Sequence, residues 1–271
     1  MKTKFDHEKI VKLYLEHKNT VKVSKEIGCS VSLVCKVLEK KNIPLFHKAS
    51  KFEYNRRYFE IIDTEEKAYW LGFLYADGYV MHSNGKYRLK VSLAYKDVFH
   101  LEKLKNSLES NVPIVKYQIK KGKCAGNWYC RLTHDSRELA LDLKSKGCYQ
   151  RKSLTLTFPS EEIVPEHLVR HFIRGYFDGD GSVFMSNEKH WRYGHIFPVI
   201  HFRFCGTFEF LSKIQSILGM NGRLTHSRAS ENNVYELAFK RRKRARVFMH
   251  YLYDDATIYL DRKYQIFKNN L

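Results

Sequence analysis

The sequence lacks the features that mark membrane-spanning, zinc-binding and disulfide-rich proteins. Its 271 residues contain no apolar run approaching the roughly 18 residues of a membrane helix. The N-terminal stretch MKTKFDHEKIVKLYL also lacks the apolar core of a signal peptide. The six cysteines form no CxxC pair, and the 13 histidines show no HExxH or other paired ligand spacing. We therefore expect an intracellular protein with reduced thiols and no membrane segment.

Acidic residues are scarce relative to basic ones. The chain has 29 Asp and Glu against 48 Lys and Arg, a formal net charge of +19, while 44% of its residues are hydrophobic. Charge of one sign repels itself in a compact state, so this excess indicates an anionic partner. Nucleic acid is the commonest such partner. An anionic membrane surface is the alternative, and the missing membrane segment weakens it.

The first 45 residues predict three short helices. Apolar residues recur at helical spacing in residues 7–17, around Val23 and Ile27, and again over residues 31–38. Gly28 lies where a tight turn needs a positive φ, and Ser30 can cap the helix that follows. This is the arrangement of a helix-turn-helix, whose second helix enters the DNA major groove. A helical hairpin that only packs on the rest of the chain is the alternative. On the DNA-binding interpretation, the contacts come from Ser30, Ser32, Leu33 and Lys36.

Residues 42–62 differ in character from the helices before them. Pro44 breaks the helical pattern, and basic residues then alternate with aromatic ones without a clean period. The segment is interpreted either as a basic linker along a phosphate backbone or as an ordinary packed connector. We assign residues 1–45 to the helix-turn-helix segment and 46–63 to the linker.

The rest of the chain contains an internal repeat. AYWLGFLYADGYV at 68–80 matches HFIRGYFDGDGSV at 171–183, with Asp77 and Asp180 lying 103 residues apart. After each copy the patterns predict two strands, a helix, two more strands and a helix, and each half closes with an Arg-Lys pair. The prediction is an α+β fold with two αββαββα halves, at 64–160 and 161–271.

The predicted strands alternate, which indicates half-buried sheets. In KYRLKVSL the apolar residues share one face, and Lys86, Arg88, Lys90 and Ser92 share the other. Four strands per half would give an apolar face under helices and an open basic face. An ordinary solvated face is the alternative, but the net charge favours DNA contact. The strand residues predicted to contact DNA are Arg88, Lys90, Ser92, Lys116, Gln118, Arg131, His201, Arg203, Arg223 and Thr225.

Small residues recur every four positions along both motif helices. We place the start of the first helix at Asp63, with Glu66 completing a capping box. Glycine inside a helix costs about 1 kcal/mol relative to alanine, so a close approach should compensate. We expect the two motif helices to pack backbone to backbone. The predicted contact residues are Gly72, Ala76, Gly175 and Gly179.

That packing would bring Asp77 and Asp180 together at two helix C-termini. The helix dipole disfavours a carboxylate there, and the two charges repel each other. A divalent cation would resolve both conflicts, because Mg²⁺ is commonly held by one or two carboxylates, water and substrate phosphates. Beside a phosphodiester such an ion can activate water. Two ordinary Asp-Gly turns are the alternative, which the matched duplication disfavours.

The motifs WLGFLYADG (70–78) and IRGYFDGDG (173–181) resemble those of the LAGLIDADG homing endonucleases, in the form with two motifs on one chain. The likeness covers about residues 64–271. It implies a pseudo-twofold monomer with two four-stranded saddles in the major groove of double-stranded DNA. It also implies a staggered cut in both strands of a long target site, by an intron-encoded or free-standing enzyme.

The resemblance also assigns roles to single residues. It implies that Asp77 and Asp180 bind Mg²⁺, or another divalent cation such as Mn²⁺, with the carbonyls of Ala76 and Gly179. Lys152 and Lys263 match the basic residues near the family's active site, which polarise water or stabilise developing charge. Tyr75 departs from the acidic residue often found at its position, and Asp178 supplies one in the second motif. The presence of both aspartates and both lysines favours an enzyme that cleaves DNA. A non-cleaving binder on the same fold, either an RNA maturase or a DNA-binding regulator, is the alternative.

Overall fold

The computed structural model describes residues 5–45, 52–83, 85–150, 152–227 and 233–271. The helices are α1 (His7–His17), α2 (Thr20–Ile27), α3 (Val31–Lys40), α4 (Glu65–Asp77), α5 (Val98–Ser107), α6 (Arg137–Ser145), α7 (Val169–Asp180), α8 (Phe208–Leu218), α9 (Arg242–Tyr253) and α10 (Asp261–Asn270). The strands are β1 (Gly78–Ser83), β2 (Lys86–Ala94), β3 (Val115–Gln118), β4 (Trp128–His134), β5 (Ser182–Lys189), β6 (Ile196–Gly206), β7 (Arg223–His226) and β8 (Tyr235–Lys240). Within these ranges, no helix combines the length and the apolar character needed to cross a membrane.

Two antiparallel sheets of the same topology form the frame. The strand order is β1-β2-β4-β3 in the first half and β5-β6-β8-β7 in the second. In each half a motif helix runs directly into the first strand, α4 into β1 and α7 into β5. This α+β architecture with two equivalent halves confirms the predicted fold.

One continuous apolar core joins the two halves. Both motif helices contribute to it, and so do the inward faces of both sheets, through residues such as Trp70, Leu132, Phe177 and Phe202. Side chains alternate between core and surface along β2, where Leu89, Val91 and Leu93 are buried, as the sequence pattern predicts. The sheets therefore keep one face under helices and leave the other open.

The helices α1, α2 and α3 pack around a smaller core of their own. It consists of Ile10, Tyr14, Val23, Val34, Val37 and Leu38. Gly28 ends α2 with a φ of 77°, and the Ser30 side chain caps α3 by accepting a bond from the Leu33 amide at 3.2 Å. The turn chemistry predicted for this segment is therefore present.

The described part of the connector packs against the first half. Tyr58, Phe59 and Ile62 are buried in the main core, and the Tyr54 hydroxyl donates to the Asp135 carbonyl at 2.8 Å. For residues 52–62 the structure therefore supports the packed connector rather than an extended basic linker. Residues 46–51 lie outside the described ranges.

One local prediction was wrong, and one helix was not predicted. The first motif helix is capped by Thr64, whose hydroxyl accepts from the Lys67 amide at 3.3 Å, and not by Asp63. The Asp63 carboxylate instead pairs with the Lys67 ammonium group at 2.7 Å, which leaves the capping position to the next residue. No pattern in the sequence predicted α10, whose buried positions include a lysine, Lys263.

Candidate functional site

The motif helices α4 and α7 touch along their backbones, because glycines replace side chains at the contact. A Cβ atom on Gly72 would collide with the Phe172 carbonyl, and one on Gly175 would collide with the Tyr69 carbonyl. At Gly179 an added Cβ would collide with the Cβ of Ala76. The four residues predicted for this interface lie along it, so the two helix C-termini are held side by side.

Asp77 and Asp180 occupy these two C-termini. Asp77 is partly exposed and Asp180 is exposed, although protein surrounds both on their other sides. Burial raises the pKa of Asp77 to about 6, and the negative charge of Asp180 adds to the effect. Desolvation by the protein around its inward side also raises the pKa of Asp180, although the residue is exposed. The two carboxylates thus form one electrostatic unit that opens towards solvent.

Lys152 and Lys263 lie buried behind the aspartates. Lys152 donates from Nζ to the Gly78 carbonyl at 2.6 Å. Lys263 donates to the equivalent carbonyl of Gly181, and also to those of Phe177 at 2.6 Å and Asp178 at 2.7 Å. Among the lysines, the charge of Lys263 lowers the pKa of Asp77 most, whereas that of Lys152 lowers the pKa of Asp180 most. Of the two lysines, the one from the opposite half therefore has the larger effect on the pKa of each aspartate.

Burial also affects Lys263 itself. Its pKa is lowered to about 8 by desolvation, against the opposing effect of the negative charge of Asp178. A main-chain carbonyl at a helix C-terminus carries partial negative charge, so an ammonium group stabilises the end of α7. The lysines thus hold the helix ends that carry the aspartates, a role that their repeated positions did not predict.

Asp178 belongs to a buried network and points away from this pair. Its carboxylate accepts from the hydroxyls of Tyr69 and Tyr253 at 2.8 Å each, and from the Leu260 amide at 2.7 Å. Arg174, which is fully buried, donates to Glu65 at 2.6 Å and to the Leu252 carbonyl at 2.7 Å. These bonds anchor the segment before α10 to both motif helices.

The open faces of the two sheets carry most of the predicted strand residues. Cross-strand partners share a face, so the pairs Ser92↔Arg131 and Arg203↔Ala238 define the open side of each sheet. By the same register and the strand alternation, the following residues share those faces: Arg88, Lys90, Ser92, Arg131, His201, Arg203, Arg223 and Thr225.

Lys116 and Gln118 do not lie on the open face, where we predicted them. They lie on the opposite side of the first sheet. Lys116 pairs with the buried Cys130, and Gln118 pairs with Trp128 on the same face. The open face at β3 instead presents Val115 and Tyr117, with the Arg131 guanidinium 5.2 Å from the Tyr117 ring centre. On this edge strand the apolar residues face outward, which inverts the usual reading of a strand pattern.

Several open-face residues are held by neighbours within the sheet. Arg88 forms an ion pair with Asp135, with contacts of 2.5 and 3.0 Å. Arg203 donates to Glu236 and to the Ser182 hydroxyl, at 2.8 Å in each case. The His201 ring bonds to the Ser186 hydroxyl at 2.8 Å. Such bonds fix the direction in which these side chains are presented.

In the N-terminal segment, the predicted DNA-contacting residues do not all face outward. Ser30, Ser32 and Lys36 are exposed, but Leu33 is partly buried against the core of the three helices. Leu33 therefore contributes to packing, whereas Ser32 and Lys36 remain on the exposed surface of α3.

The aspartate pair has the donor set of an open cation site. Within the described ranges, no group of three or more His, Cys, Asp or Glu residues is arranged to hold a metal ion. Two solvent-facing carboxylates suit Mg²⁺ completed by water and phosphate oxygens better than a closed protein cage. The Gly179 carbonyl already accepts a bond from Lys263 Nζ at 3.3 Å, so that lysine would compete with a cation for this oxygen.

The architecture is the fold of the LAGLIDADG homing endonucleases. The chain is similar to meganuclease I-SmaMI bound to uncleavable DNA with a TTCT central four, with a TM-score of 0.52, 14% identity, and coverage of 76% of this chain and 90% of that chain. It is also similar to the I-LtrWI LAGLIDADG homing endonuclease bound to target DNA, with a TM-score of 0.52, 12% identity, and coverage of 79% and 90%. No protein-family model matches the sequence, and no curated protein does. At these identities the likeness establishes the fold alone.

Proposed function

We propose that the protein is a site-specific DNA endonuclease that makes a staggered double-strand break. The observation that carries this proposal is the pair Asp77 and Asp180, held together at the ends of two backbone-packed helices and open to solvent. Folding alone gains nothing from two repelling carboxylates at helix C-termini. The DNA-bound neighbours of the same fold, and the net charge of +19, support DNA as the partner.

In this proposal each part of the chain has a distinct task. The basic open faces of the two sheets bind and orient duplex DNA, so that one phosphate of each strand lies beside the aspartate pair. Asp77 and Asp180 hold Mg²⁺ or Mn²⁺, together with the Ala76 carbonyl and water. When bound, the cation supplies charge stabilisation and a more acidic water molecule at the phosphodiester. Lys152 and Lys263 hold the two helix ends and place positive charge behind the carboxylates.

The direct test is cleavage of a duplex library with randomised sequence, in Mg²⁺ and in EDTA. The wild type should cut a small set of long sequences only when Mg²⁺ is present. Asp77→Asn and Asp180→Asn should abolish double-strand cleavage while sparing DNA binding. Asp255→Asn is the matched control, because Asp255 is exposed and has a φ of 57°, which asparagine tolerates. Wild-type protein that binds DNA and never cuts it would favour the maturase or regulator alternative.

We also propose that residues 1–45 form a separate DNA-binding unit, connected through residues 46–63 to a monomeric enzyme of halves 64–160 and 161–271. The exposed Ser32 and Lys36 on α3 support this, together with the turn at Gly28 that joins α2 to α3. Lys36→Glu should weaken DNA affinity about tenfold, without changing the cleavage rate at saturating protein. Lys12→Glu makes the same charge change on the exposed side of α1, and its affinity should change much less. Equal losses of DNA affinity in the two variants would show that α3 does not contact the DNA.

A further inference from the structure

The hairpin between β5 and β6 extends well beyond the rest of its sheet. The last residue of β8, Lys240, pairs with His201, whereas the β5–β6 ladder continues to Lys189↔Ile196. In the first half, the equivalent β1–β2 ladder closes at Ser83↔Lys86. The second half therefore has a projecting arm that the first half lacks.

The tip of this arm carries exposed aromatic side chains. Trp191 is 88% exposed and Tyr193 is 70% exposed, with Arg192 between them. The His190 ring lies 4.9 Å from the Tyr193 ring and 5.0 Å from the His195 ring, which orders the tip. A cluster of large exposed aromatic groups is costly in water and marks an interaction surface.

A run of four basic residues, Arg241–Arg244, lies at the base of the same arm. All four are exposed, and none pairs with a carboxylate of the described chain. The Arg241 amide donates to the Ile200 carbonyl at 3.0 Å, which fixes the run beside β6. The neighbouring Lys240 bonds to Glu188 on β5 at 3.1 Å. The basic run and the aromatic tip therefore lie at one end of the second sheet.

The basic run is unfavourable for the helix that it begins. The first turn of α9 has no acidic residue and no side-chain cap. The corresponding helix of the first half, α6, has a Ser136 cap and Glu138 in its first turn. Positive charge at a helix start costs roughly 0.3–1 kcal/mol per group. The start of α9 is therefore less stable than it would be with acidic residues, and its basic residues form a dense positive surface. Such a surface fits a polyanion.

We propose that the tip Trp191–Tyr193 and the run Arg241–Arg244, together called the flank patch, bind the phosphodiester backbone of duplex DNA beyond the part covered by the sheet. The aromatic rings would lie against sugars and bases, and the basic run would contact phosphates. This inference rests on the proposed endonuclease function, because the patch is placed relative to the aspartate pair. It adds a one-sided extension that belongs to the second half only.

The length of the arm sets where these contacts fall. Trp191 is nine residues beyond Ser182, which follows the aspartate site. At about 3.3 Å per residue this is roughly 30 Å, or about nine base pairs at 3.4 Å each. The first hairpin turns after about six residues, roughly 20 Å from Asp77. The footprint should therefore extend about three base pairs further on the side of the second half.

The test begins with the salt dependence of binding to a 40-base-pair duplex of arbitrary sequence. Each lost phosphate contact lowers the slope of log K against log salt by about 0.9, so the triple variant Arg242→Gln, Lys243→Gln, Arg244→Gln should lower it by about 2–3. The matched control is Lys144→Gln, Lys213→Gln, Lys268→Gln, which removes the same charge from exposed positions on α6, α8 and α10. Its slope should stay close to that of the wild type. Equal slopes for the two triple variants would overturn the proposal.

The second measurement uses phosphate ethylation interference on a target selected by cleavage. Interference about nine base pairs from the cut should appear on one side, and disappear in the triple variant and in Trp191→Ala with Tyr193→Ala. A symmetric pattern would overturn the flank patch while leaving the endonuclease proposal intact. Failure to select any cleaved target would instead overturn the proposed function. Loss of binding to phosphatidylserine vesicles in the triple variant, with unchanged DNA binding, would assign the patch to a membrane surface and overturn the proposal.

Discussion

The Nζ atom of Lys263 lies 2.7 Å from the main-chain carbonyl of Asp178, and this bond ties the last helix of the chain to the end of α7. Within the described part of the chain, Lys152 makes one bond of this kind, to Gly78. The two lysines occupy matching positions in the repeat, but Lys263 bonds to more main-chain carbonyls than Lys152 does. Their removal should therefore have unequal effects.

We expect Lys263→Met to lower the free energy of unfolding by about 3 kcal/mol, because several carbonyls at the end of α7 would lose their donor. Lys152→Met should cost about 1 kcal/mol, since among the described residues the Gly78 carbonyl alone loses its donor. Urea denaturation at pH 7.5 measures both values. Equal losses would contradict the distinction between the two sites.

The hydroxyls that bind Asp178 should contribute measurably to stability. Tyr69→Phe and Tyr253→Phe each remove a donor from a buried carboxylate, and each should cost about 1–3 kcal/mol. Tyr264→Phe is the matched control, because its hydroxyl bonds to no atom of the described chain, and it should change stability by less than about 0.5 kcal/mol. Thermal unfolding of the three variants makes the comparison. Three equal midpoints would show that the network contributes nothing.

Alanine at the glycine contact should be poorly tolerated. Gly72→Ala and Gly175→Ala place a methyl group against a main-chain carbonyl of the facing helix, which cannot move aside without separating α4 from α7. Each should lower stability by about 3 kcal/mol or more. Gly122→Ala has open space around it and a φ of 85°, so it should cost only about 1 kcal/mol. Chemical denaturation ranks the three, and a small effect at Gly72 would argue against close helix packing.

His100 should make the protein sensitive to mild acid. Burial lowers its pKa to about 3, and repulsion from Lys103 adds to the effect. An unfolded histidine has a pKa near 6.5, so below that pH the unfolded chain gains a proton that the folded chain refuses. Between pH 7 and pH 5 this one group should lower the free energy of unfolding by roughly 2 kcal/mol.

The His100 Nε2 atom lies 3.0 Å from the Tyr69 hydroxyl. The variant His100→Gln isolates the effect, since glutamine does not titrate and its amide can still bond to that hydroxyl. Its loss of stability between pH 7 and pH 5, followed by urea denaturation, should be smaller than that of the wild type by that amount. Identical pH dependence would mean that His100 takes up its proton in the folded protein as readily as in the unfolded chain.

The repeat alone predicts the order of helices and strands in the two halves, because that order follows from local sequence patterns. The helix Phe208–Leu218 and the glycine contact at Gly72 and Gly175 follow from spacing and from the cost of glycine in helices. Long-range partners leave no such signal. Asp178 is bound by Tyr69, which lies 109 residues away, and nothing near Asp178 indicates that contact. The faces of the edge strand β3 were predicted wrongly for another reason. An exposed edge strand permits an apolar residue, Val115, to face outward.

The hydroxyl of Tyr69 has a consequence for the relation between the two repeats. In the second copy, the position of Tyr69 is occupied by Phe172, and the position of Asp178 is occupied in the first copy by Tyr75. A homodimer of the second half would therefore bury two carboxylates, each facing a phenyl ring where the natural protein supplies a phenol. At this contact the two halves are therefore not interchangeable: the carboxylate comes from the second half and one of the hydroxyls that bind it comes from the first.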